Sequence, residues 1–277
     1  MSSSGSTSFV DYLKRYSVAK GATHTNTRIP DPKAGISGGL YNITKENEQS
    51  FLKKYYTHVF KKGNFEYLTE KQLKNDGPAL VDIDFRYDSG VNKRMHTPEH
   101  IIDLIMLYAN KIEEIYDLSS NAKIEVIVQE KSDVNQLETK TKDGIHIIFG
   151  IKMERAVQIM LRDMVLEEIA NIWDDLPITC SWGEVFDEGI SKGTVNWQLY
   201  GSRKPGYQAY MVKNHYILNY QNSEWTIEAN DMASFKTDKM LPKLSARYDK
   251  HPAWAVHTKM QEKVNMYTEK LGRKSKI

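Results

Sequence analysis

Two aspartates, Asp82 and Asp84, stand one residue apart within the otherwise apolar run of residues 79–85. Alternate side chains of a β-strand point to the same face, so both carboxylates would face the same way. Like charges at this spacing repel and are costly to desolvate unless a cation or a shared proton offsets them. Carboxylate oxygens suit Mg²⁺ and Mn²⁺, which commonly complete their coordination with substrate phosphates. The spacing therefore indicates a divalent-metal site, although Asp-x-Asp pairs also occur by chance.

A histidine, His146, lies in a second apolar run, shortly after Lys142 and Gly144. A lone histidine on an apolar strand is commonly a core or surface residue without a chemical role. If this strand is adjacent to the strand of Asp82 in one sheet, however, His146 and Lys142 lie beside the acids at the opening of the same site. Both side chains would then meet the phosphates of a bound nucleotide.

A third carboxylate is available in residues 182–189, Trp-Gly-Glu-Val-Phe-Asp-Glu-Gly. Asp187 would act as a further oxygen ligand beside the two strand aspartates. Its neighbours Glu184 and Glu188 stay open as alternatives for the same ligand.

Residues 201–206, Gly-Ser-Arg-Lys-Pro-Gly, contain donors suited to triphosphate oxygens. A hairpin turn with exposed charges is the alternative interpretation of the same residues. The candidate donors are Ser202, Arg203 and Lys204.

These residues need a scaffold that contains both sheets and helices. Apolar runs predict strands at 79–87, 122–129, 144–149, 195–200 and 207–218. Helical spacing predicts helices at 8–17, 45–60, 154–173 and 254–271, and Thr97-Pro98-Glu99 is typical of a further helix start. Residues 21–39, rich in Thr, Pro and Gly, predict a loop.

Composition narrows the class of protein. The chain has 277 residues, of which 40% are hydrophobic, enough for one large domain or two packed lobes. The single cysteine, Cys180, excludes an internal disulfide and a multi-thiolate zinc site, so we expect no zinc and a reducing, intracellular compartment. No apolar run approaches twenty residues and the start is rich in Ser and Gly, so we expect neither a membrane span nor secretion.

The net charge of +2 does not by itself indicate a nucleic-acid-binding protein. Lysines and aromatic residues are nevertheless interleaved between residues 41 and 74. That composition is typical of a groove that follows a phosphate backbone and stacks bases, and also of the solvated faces of ordinary helices. This segment is the candidate contact for a template strand or a second nucleotide.

The order of the motifs resembles the archaeo-eukaryotic primase (AEP) superfamily. An apolar strand ending in Asp-x-Asp is followed by a strand with a small residue, any residue and histidine, then by an acid and Leu-Tyr-Gly-Ser-x-Lys. More closely, Thr-His-Thr-Asn-Thr-Arg at 23–28, Gly-Gly at 38–39, Tyr-Leu-Thr-Glu-Lys at 67–71 and Gly-Pro at 77–78 look like the primase domain at the front of the primase-helicases of nucleocytoplasmic large DNA viruses. The resemblance covers roughly residues 20–220.

This resemblance implies a fold and a set of site residues. The fold would be α+β, with mixed or antiparallel sheets, an RRM-like catalytic lobe and flanking helices. Asp82, Asp84 and Asp187 would be catalytic and would bind two Mg²⁺ or Mn²⁺ ions. The nucleotide contacts that it implies are Lys142, His146, Ser202, Arg203 and Lys204.

Two positions depart from the family pattern. Gly144 stands where relatives often have serine, and Gln198 stands where primase-polymerase relatives often have arginine. Backbone amides, Lys142 or Arg28 would then bind the phosphates in their place, and Arg86 is a further candidate contact.

The implied function is that of a DNA primase, or a primase-polymerase, which makes primers on single-stranded DNA from nucleoside triphosphates during viral DNA replication. One metal ion would activate the attacking hydroxyl and the other would hold the triphosphate. The expected organisation is a helical and loop part at 1–75, a catalytic core at 76–222, and a helical segment with a basic linker at 223–277. The chain has no Gly-x-x-x-x-Gly-Lys-Ser/Thr sequence, which is typical of an ATPase motor. The resemblance implies that a helicase domain follows in the same polypeptide. The expected location is a replication site in the host cytoplasm.

Two other classes of function stay open. A metal-dependent glycosyltransferase would use the Asp-x-Asp pair to hold a nucleotide-sugar diphosphate, but would leave His146 and residues 202–204 without a role. A non-catalytic single-stranded nucleic-acid-binding module would use the lysines and aromatic residues but not the acids.

Overall fold

A computed structural model describes residues 8–274 of the chain. Its α-helices are α1 (Phe9–Lys14), α2 (Lys45–Tyr56), α3 (Pro98–Ile115), α4 (Arg155–Leu166), α5 (Ile169–Ile172), α6 (Trp182–Val185), α7 (Glu188–Lys192), α8 (Thr237–Met240) and α9 (Gln261–Lys274). A π-helix follows α2 at Thr57–Lys61, and 3₁₀ turns lie at Pro32–Ala34, Met232–Ser234, Leu241–Leu244 and Thr258–Met260. No helix within residues 8–274 combines the length and apolarity needed to cross a bilayer.

The β-strands are shorter on average at the start of the chain than in its middle. They are β1 (Ser17–Val18), β2 (Asn26–Arg28), β3 (Gly39–Tyr41), β4 (Leu68–Glu70), β5 (Pro78–Tyr87), β6 (Tyr116–Asp117), β7 (Lys123–Glu130), β8 (Asn135–Gln136), β9 (Thr141–Lys152), β10 (Trp197–Gln198), β11 (Met211–Gln221), β12 (Glu224–Ala229) and β13 (Ala255–Val256).

The chain forms two compact units, each built from separate segments. Unit 1 comprises residues up to 72 together with 196–209 and 236–247, and unit 2 comprises 73–195, 210–235 and the segment from 248 onwards. These boundaries differ from the predicted division at 75/76 and 222/223. The physical reason is that residues 196–209 pair with the first part of the chain, since β10 hydrogen-bonds to β4.

Unit 2 is organised around a six-stranded sheet. Its strand order is β12-β11-β7-β9-β5, and β8 pairs with the outer part of β9. Every pairing is antiparallel. A separate two-stranded ribbon joins β6 to β13. Together with the helices, these sheets confirm the α+β class.

Strand β5 shows why the two predicted aspartates share a face. Its odd-numbered residues from 79 to 87 are all buried in the core, whereas Asp82, Asp84 and Arg86 are only partly buried. This two-residue period is that of a strand with one face against the core. The acids therefore lie on the face opposite the hydrophobic core.

Helices α3 and α4 cover the core face of the sheet. Helix α3 begins with a capping box in which the Thr97 side chain accepts from the backbone N–H of His100, and Pro98 occupies its first turn. Apolar residues of both helices, among them Leu104, Ile105 and Met160, are almost fully buried against the strands. This packing keeps β5 and β9 rigid under the polar face.

Unit 1 has a smaller sheet with the strand order β1-β3-β2-β4-β10. Residues 21–39, predicted to be a loop, contain β2 and the start of β3. The prediction was wrong there because these short strands carry no apolar run, and they form through the pairing of β2 with β3 and β4.

Candidate functional site

The register between β5 and β9 brings the predicted acids next to the predicted basic residues. Asp82 lies opposite His146, and Asp84 lies opposite Gly144. The next pair on the same face is Arg86 and Lys142. Directly opposite residues of antiparallel strands have adjacent side chains, so the two acids of β5 lie beside His146 and Gly144, and two basic residues follow on the same face.

Asp187 reaches the same place from the free edge of β5. Phe186 forms an isolated antiparallel bridge with Ile83, and the backbone N–H of Asp187 donates to the carbonyl oxygen of Asp82 at 3.0 Å. Phe186 and Ile83 are buried in the core, so the residues next to them, Asp187 and Asp82, alternate to the opposite face. Asp82 is thus flanked by His146 on one side and by Asp187 on the other.

The neighbouring acids, Glu184 and Glu188, are held in other contacts. One carboxylate oxygen of Glu184 accepts from Ser181 as an N-terminal cap of α6, and the other pairs with Arg86 at 3.0 Å. Hydrogen bonds from Ser181 lower the pKa of Glu184. Glu188 pairs with Lys192 one turn later in α7. The backbone contact to Asp82 therefore distinguishes Asp187 from both alternatives.

The side chains of the acidic face are arranged as follows. His146 Nε2 lies 3.4 Å from Asp82 Oδ1. Asp187 Oδ1 accepts from the backbone N–H of Gly189 at 2.7 Å and caps α7. No three His, Cys, Asp or Glu side chains within residues 8–274 converge as a metal-binding group. The hard oxygen donors of Asp82, Asp84 and Asp187 nevertheless suit Mg²⁺ or Mn²⁺ in chemical type.

A buried polar network holds the start of β9. Arg94 donates two hydrogen bonds to Asp143, at 2.9 and 3.0 Å, and lies 3.2 Å from Glu130. His96 Nε2 is 2.6 Å from the same glutamate. Asp143 sits on the core face directly before Gly144, so this network fixes the backbone that carries His146.

Tyr210 is a residue of this site that the sequence did not reveal. Its ring stacks on His146 with centroids 3.6 Å apart and an interplanar angle of 15°, and Lys131 Nζ lies 4.7 Å from its centroid. Burial, followed by the negative charges of Asp82, Asp84 and Asp143, raises the pKa of Tyr210 well above its usual value. The only signal in the sequence was the glycine at position 144, which leaves room for a neighbouring side chain.

Residues 202–204 lie in unit 1, where their side chains have different environments. The Ser202 hydroxyl is buried, lies 2.8 Å from the Tyr55 hydroxyl, and accepts from the backbone N–H of Leu68 at 3.1 Å. The Arg203 guanidinium lies 4.0 Å from the centre of the Phe65 ring, and Lys204 is exposed. The contact between these residues and a nucleotide stays a prediction.

Arg28 also lies in unit 1, in a buried ion pair. Its Nε and Nη2 donate to the two oxygens of Glu66 at 2.9 and 2.6 Å, and His58 Nε2 lies 3.1 Å from Glu66 Oε1. Burial acts to raise the pKa of Glu66, but hydrogen bonds from His58 and Arg28 outweigh it and hold the pKa below its usual value. A phosphate contact by Arg28 would require this pair to open.

Residues of α1, of α2 and of the segment after α2 form a surface pocket of about 360 Å³ in unit 1. Three lysines and a histidine are the basic residues of its lining, and Phe9 stacks on His58 with ring centroids 4.8 Å apart. The π-helix at Thr57–Lys61 contributes part of the wall. The lining residues are Phe9, Ser50, Lys53, Lys54, Thr57, His58 and Lys62.

Comparison with known proteins identifies the family of the chain. The family described as the C962R protein N-terminal AEP domain matches residues 33–216. The Acanthamoeba polyphaga mimivirus protein named "Putative helicase L207/L206" is 26% identical over 214 residues, which are 76% of this chain and 22% of the relative. The chain therefore spans about a fifth of the length of that relative. The matched segment contains Asp82, Asp84, His146 and Asp187, and the chain belongs to the family of C962R-type N-terminal archaeo-eukaryotic primase domains.

Proposed function

We propose that this chain is the catalytic domain of a DNA primase, which joins nucleotides on a single-stranded DNA template. The observation that carries the proposal is the position of three carboxylates on one face. Asp82 and Asp84 share that face by strand alternation, and Asp187 is tied to Asp82 by a backbone hydrogen bond. Carboxylates on one face can supply the oxygen ligands for the divalent cations that nucleotide transfer uses.

The roles of the residues follow from their charge and position. Asp82, Asp84 and Asp187 would hold Mg²⁺ or Mn²⁺. When bound, such ions lower the pKa of the attacking hydroxyl and neutralise the triphosphate. His146, beside Asp82, donates to a phosphate oxygen, and Lys142 supplies positive charge at a nearby position of the same strand.

The lysine-lined pocket of unit 1 is the proposed contact for the template. Lys53, Lys54 and Lys62 are placed around it, and no carboxylate belongs to its lining. Phosphate groups are the natural ligands of such a surface, because clustered lysines neutralise a backbone and release counterions.

The wider setting is also a proposal. A helicase domain in the same polypeptide, viral DNA replication and a cytoplasmic replication site are consistent with the name and length of the mimivirus relative. The family match favours primer synthesis over a glycosyltransferase. It leaves a non-catalytic AEP domain as the alternative to be tested.

Unprimed synthesis on single-stranded DNA tests the proposal. The assay supplies ribonucleotides or deoxyribonucleotides with Mg²⁺ or Mn²⁺, and compares the wild type with Asp82→Asn and Asp187→Asn. Product from the wild type and none from either variant is expected, whereas the matched controls Glu184→Gln and Glu188→Gln keep activity.

A binding measurement separates the catalytic from the non-catalytic interpretation. Single-stranded DNA binding should survive in Asp82→Asn, because an acid does not contribute to phosphate affinity. Absence of wild-type product with both metals and both sugars, together with intact DNA binding, would show a non-catalytic module instead.

A further inference from the structure

Gly144 leaves a gap in the row of side chains on the acidic face, directly opposite Asp84. Tyr210 fills that gap. A Cβ atom placed on Gly144 would collide with the Tyr210 hydroxyl oxygen, and would lie 3.4 Å from Tyr210 Cζ and 3.0 Å from the carbonyl oxygen of Ile83. Glycine is therefore needed at position 144 for as long as the tyrosine hydroxyl occupies this place.

The tyrosine is held there by its ring. The ring is stacked on His146, and the ammonium group of Lys131 lies over it. The residue is 7% exposed. A buried ring thus places its O–H group in the row that contains Asp84 and His146.

We propose that Tyr210 is a nucleotide-contacting residue whose hydroxyl takes the place of a side chain at position 144 and donates a hydrogen bond to a phosphate oxygen of the bound nucleoside triphosphate. This inference rests on the proposed function and adds a residue to it. The donor comes from the segment before β11 rather than from β9 itself.

The neighbouring groups explain why phosphate is the ligand. The acids of the row are acceptors and repel a phosphate unless cations intervene, so contacts to its oxygens must come from the donors. His146 and Lys142 are the donors on either side of Gly144 along β9. The Tyr210 hydroxyl lies between them, and completes a continuous set of donors that phosphate oxygens can use.

Tyr210→Phe is the direct test, because it removes the hydroxyl and keeps the stacked ring. The measurement is the equilibrium binding of ATP and of dATP with Mg²⁺ in the absence of template, followed by kcat/KM for primer synthesis. We expect both nucleotides to bind about 10- to 100-fold more weakly, the range for removal of a hydrogen bond to a charged group. The matched control is Tyr87→Phe, since the Tyr87 hydroxyl is buried on the core face and has no hydrogen-bond partner within the described residues.

Placing a hydroxyl on β9 at position 144 provides a second, independent measurement. In the Tyr210→Phe background, Gly144→Ser restores a hydroxyl at the gap, while Gly144→Ala adds the same Cβ without one. In both double variants the atom nearest to the new Cβ at position 144 is the carbonyl oxygen of Ile83, at 3.0 Å. We expect the serine variant to bind ATP more tightly than the alanine variant, and Gly144→Ser alone to lose binding through its collision with Tyr210.

The outcomes separate this inference from the proposed function. Unchanged ATP and dATP binding in Tyr210→Phe, with a wild type that binds both, overturns the role of Tyr210 and leaves the primase proposal intact. A loss confined to ATP would also overturn it, since the contact would then be to the ribose 2′-hydroxyl. A wild type that binds neither nucleotide and makes no primer would instead refute the proposed function.

Discussion

Two buried glutamates of unit 1 and the two strand aspartates of unit 2 differ in what their oxygens contact. In unit 1, Glu66 is fully buried and paired with Arg28 and His58, and Glu70 is buried with hydrogen bonds from Ser245 Oγ and Ala246 N–H at 2.7 Å each. In unit 2, Asp82 and Asp84 stay partly exposed on one face of a strand.

This difference teaches how to separate structural from functional acids. An acid whose oxygens are filled by dedicated donors is part of the packed fold and has no capacity left for a ligand. Acids placed close together on a rigid, partly open face repel one another, and that arrangement is retained where a cation or a substrate can offset the charge.

The largest expected effect is on catalysis, at Asp84. Asp84→Asn should reduce primer synthesis by about 10³-fold or more, because bound metal ions lower the activation barrier by several kcal/mol. Its free energy of unfolding should change by less than about 1 kcal/mol, since the position is partly exposed. Chemical denaturation and the unprimed assay measure the two quantities. Asp88→Asn, on the exposed turn after β5, is the control that should alter neither.

The next effect is on stability, at Arg28. Arg28→Met leaves the Glu66 charge buried with only His58 beside it, and should lower the free energy of unfolding by roughly 3–5 kcal/mol. The double variant Arg28→Met with Glu66→Met should recover much of that decrease, because it removes the uncompensated charge. A double variant no more stable than the single one would contradict the paired role of Glu66.

Glu70 offers a test through pH. Burial raises its pKa to about 7 from a reference value of 4.5, and the hydrogen bonds from Ser245 and Ala246 only partly oppose this. The folded state therefore holds the proton more tightly than the unfolded state, so stability falls as pH rises from about 4.5 to about 7 and then levels off.

Glu70→Gln should remove this dependence, which amounts to about 3 kcal/mol. The measurement is the free energy of unfolding of wild type and variant between pH 5 and pH 8. The difference between them should shift in favour of the variant as pH rises. Glu224→Gln, at an exposed position of β12, should run parallel to the wild type, and an equally parallel Glu70→Gln curve would count against the raised pKa.

The smallest effect concerns the surface of unit 1. Changing Lys53, Lys54 and Lys62 to glutamine should weaken single-stranded DNA binding and reduce the slope of log affinity against log salt by about 0.7 for each phosphate that the protein no longer neutralises. Unfolding should be unaffected. The matched triple at Lys236, Lys239 and Lys243, in the same unit but outside the pocket, should keep the wild-type slope. Equal weakening in both triples would indicate a general charge effect.

Strand β9 shows where sequence reasoning reached its limit within the site. The sequence predicted a strand at 144–149 preceded by a polar segment, but the strand extends from Thr141 to Lys152. The polar residue Asp143 is buried inside it because Arg94 neutralises its charge. A local pattern cannot reveal such a partner, since the two residues lie 49 positions apart.

The predicted lengths of other helices and strands were wrong for similar reasons. The helix predicted at 154–173 is interrupted between α4 and α5, and the strand predicted at 195–200 is reduced to β10. The second strand after it, β12, had no apolar alternation strong enough to be found, and it forms because it pairs with β11. In each case pairing or packing partners decided the ends of the element.

The sequence by itself determined that Asp82 and Asp84 share a face, because side chains alternate along any strand. The order of the motifs also identified the family that the comparisons then showed. Only the tertiary structure decided that His146 lies opposite Asp82, that Asp187 rather than Glu184 or Glu188 borders it, and that Tyr210 occupies the space over Gly144. Register and edge contacts join residues far apart in the chain, and local spacing contains no information about which of them will meet.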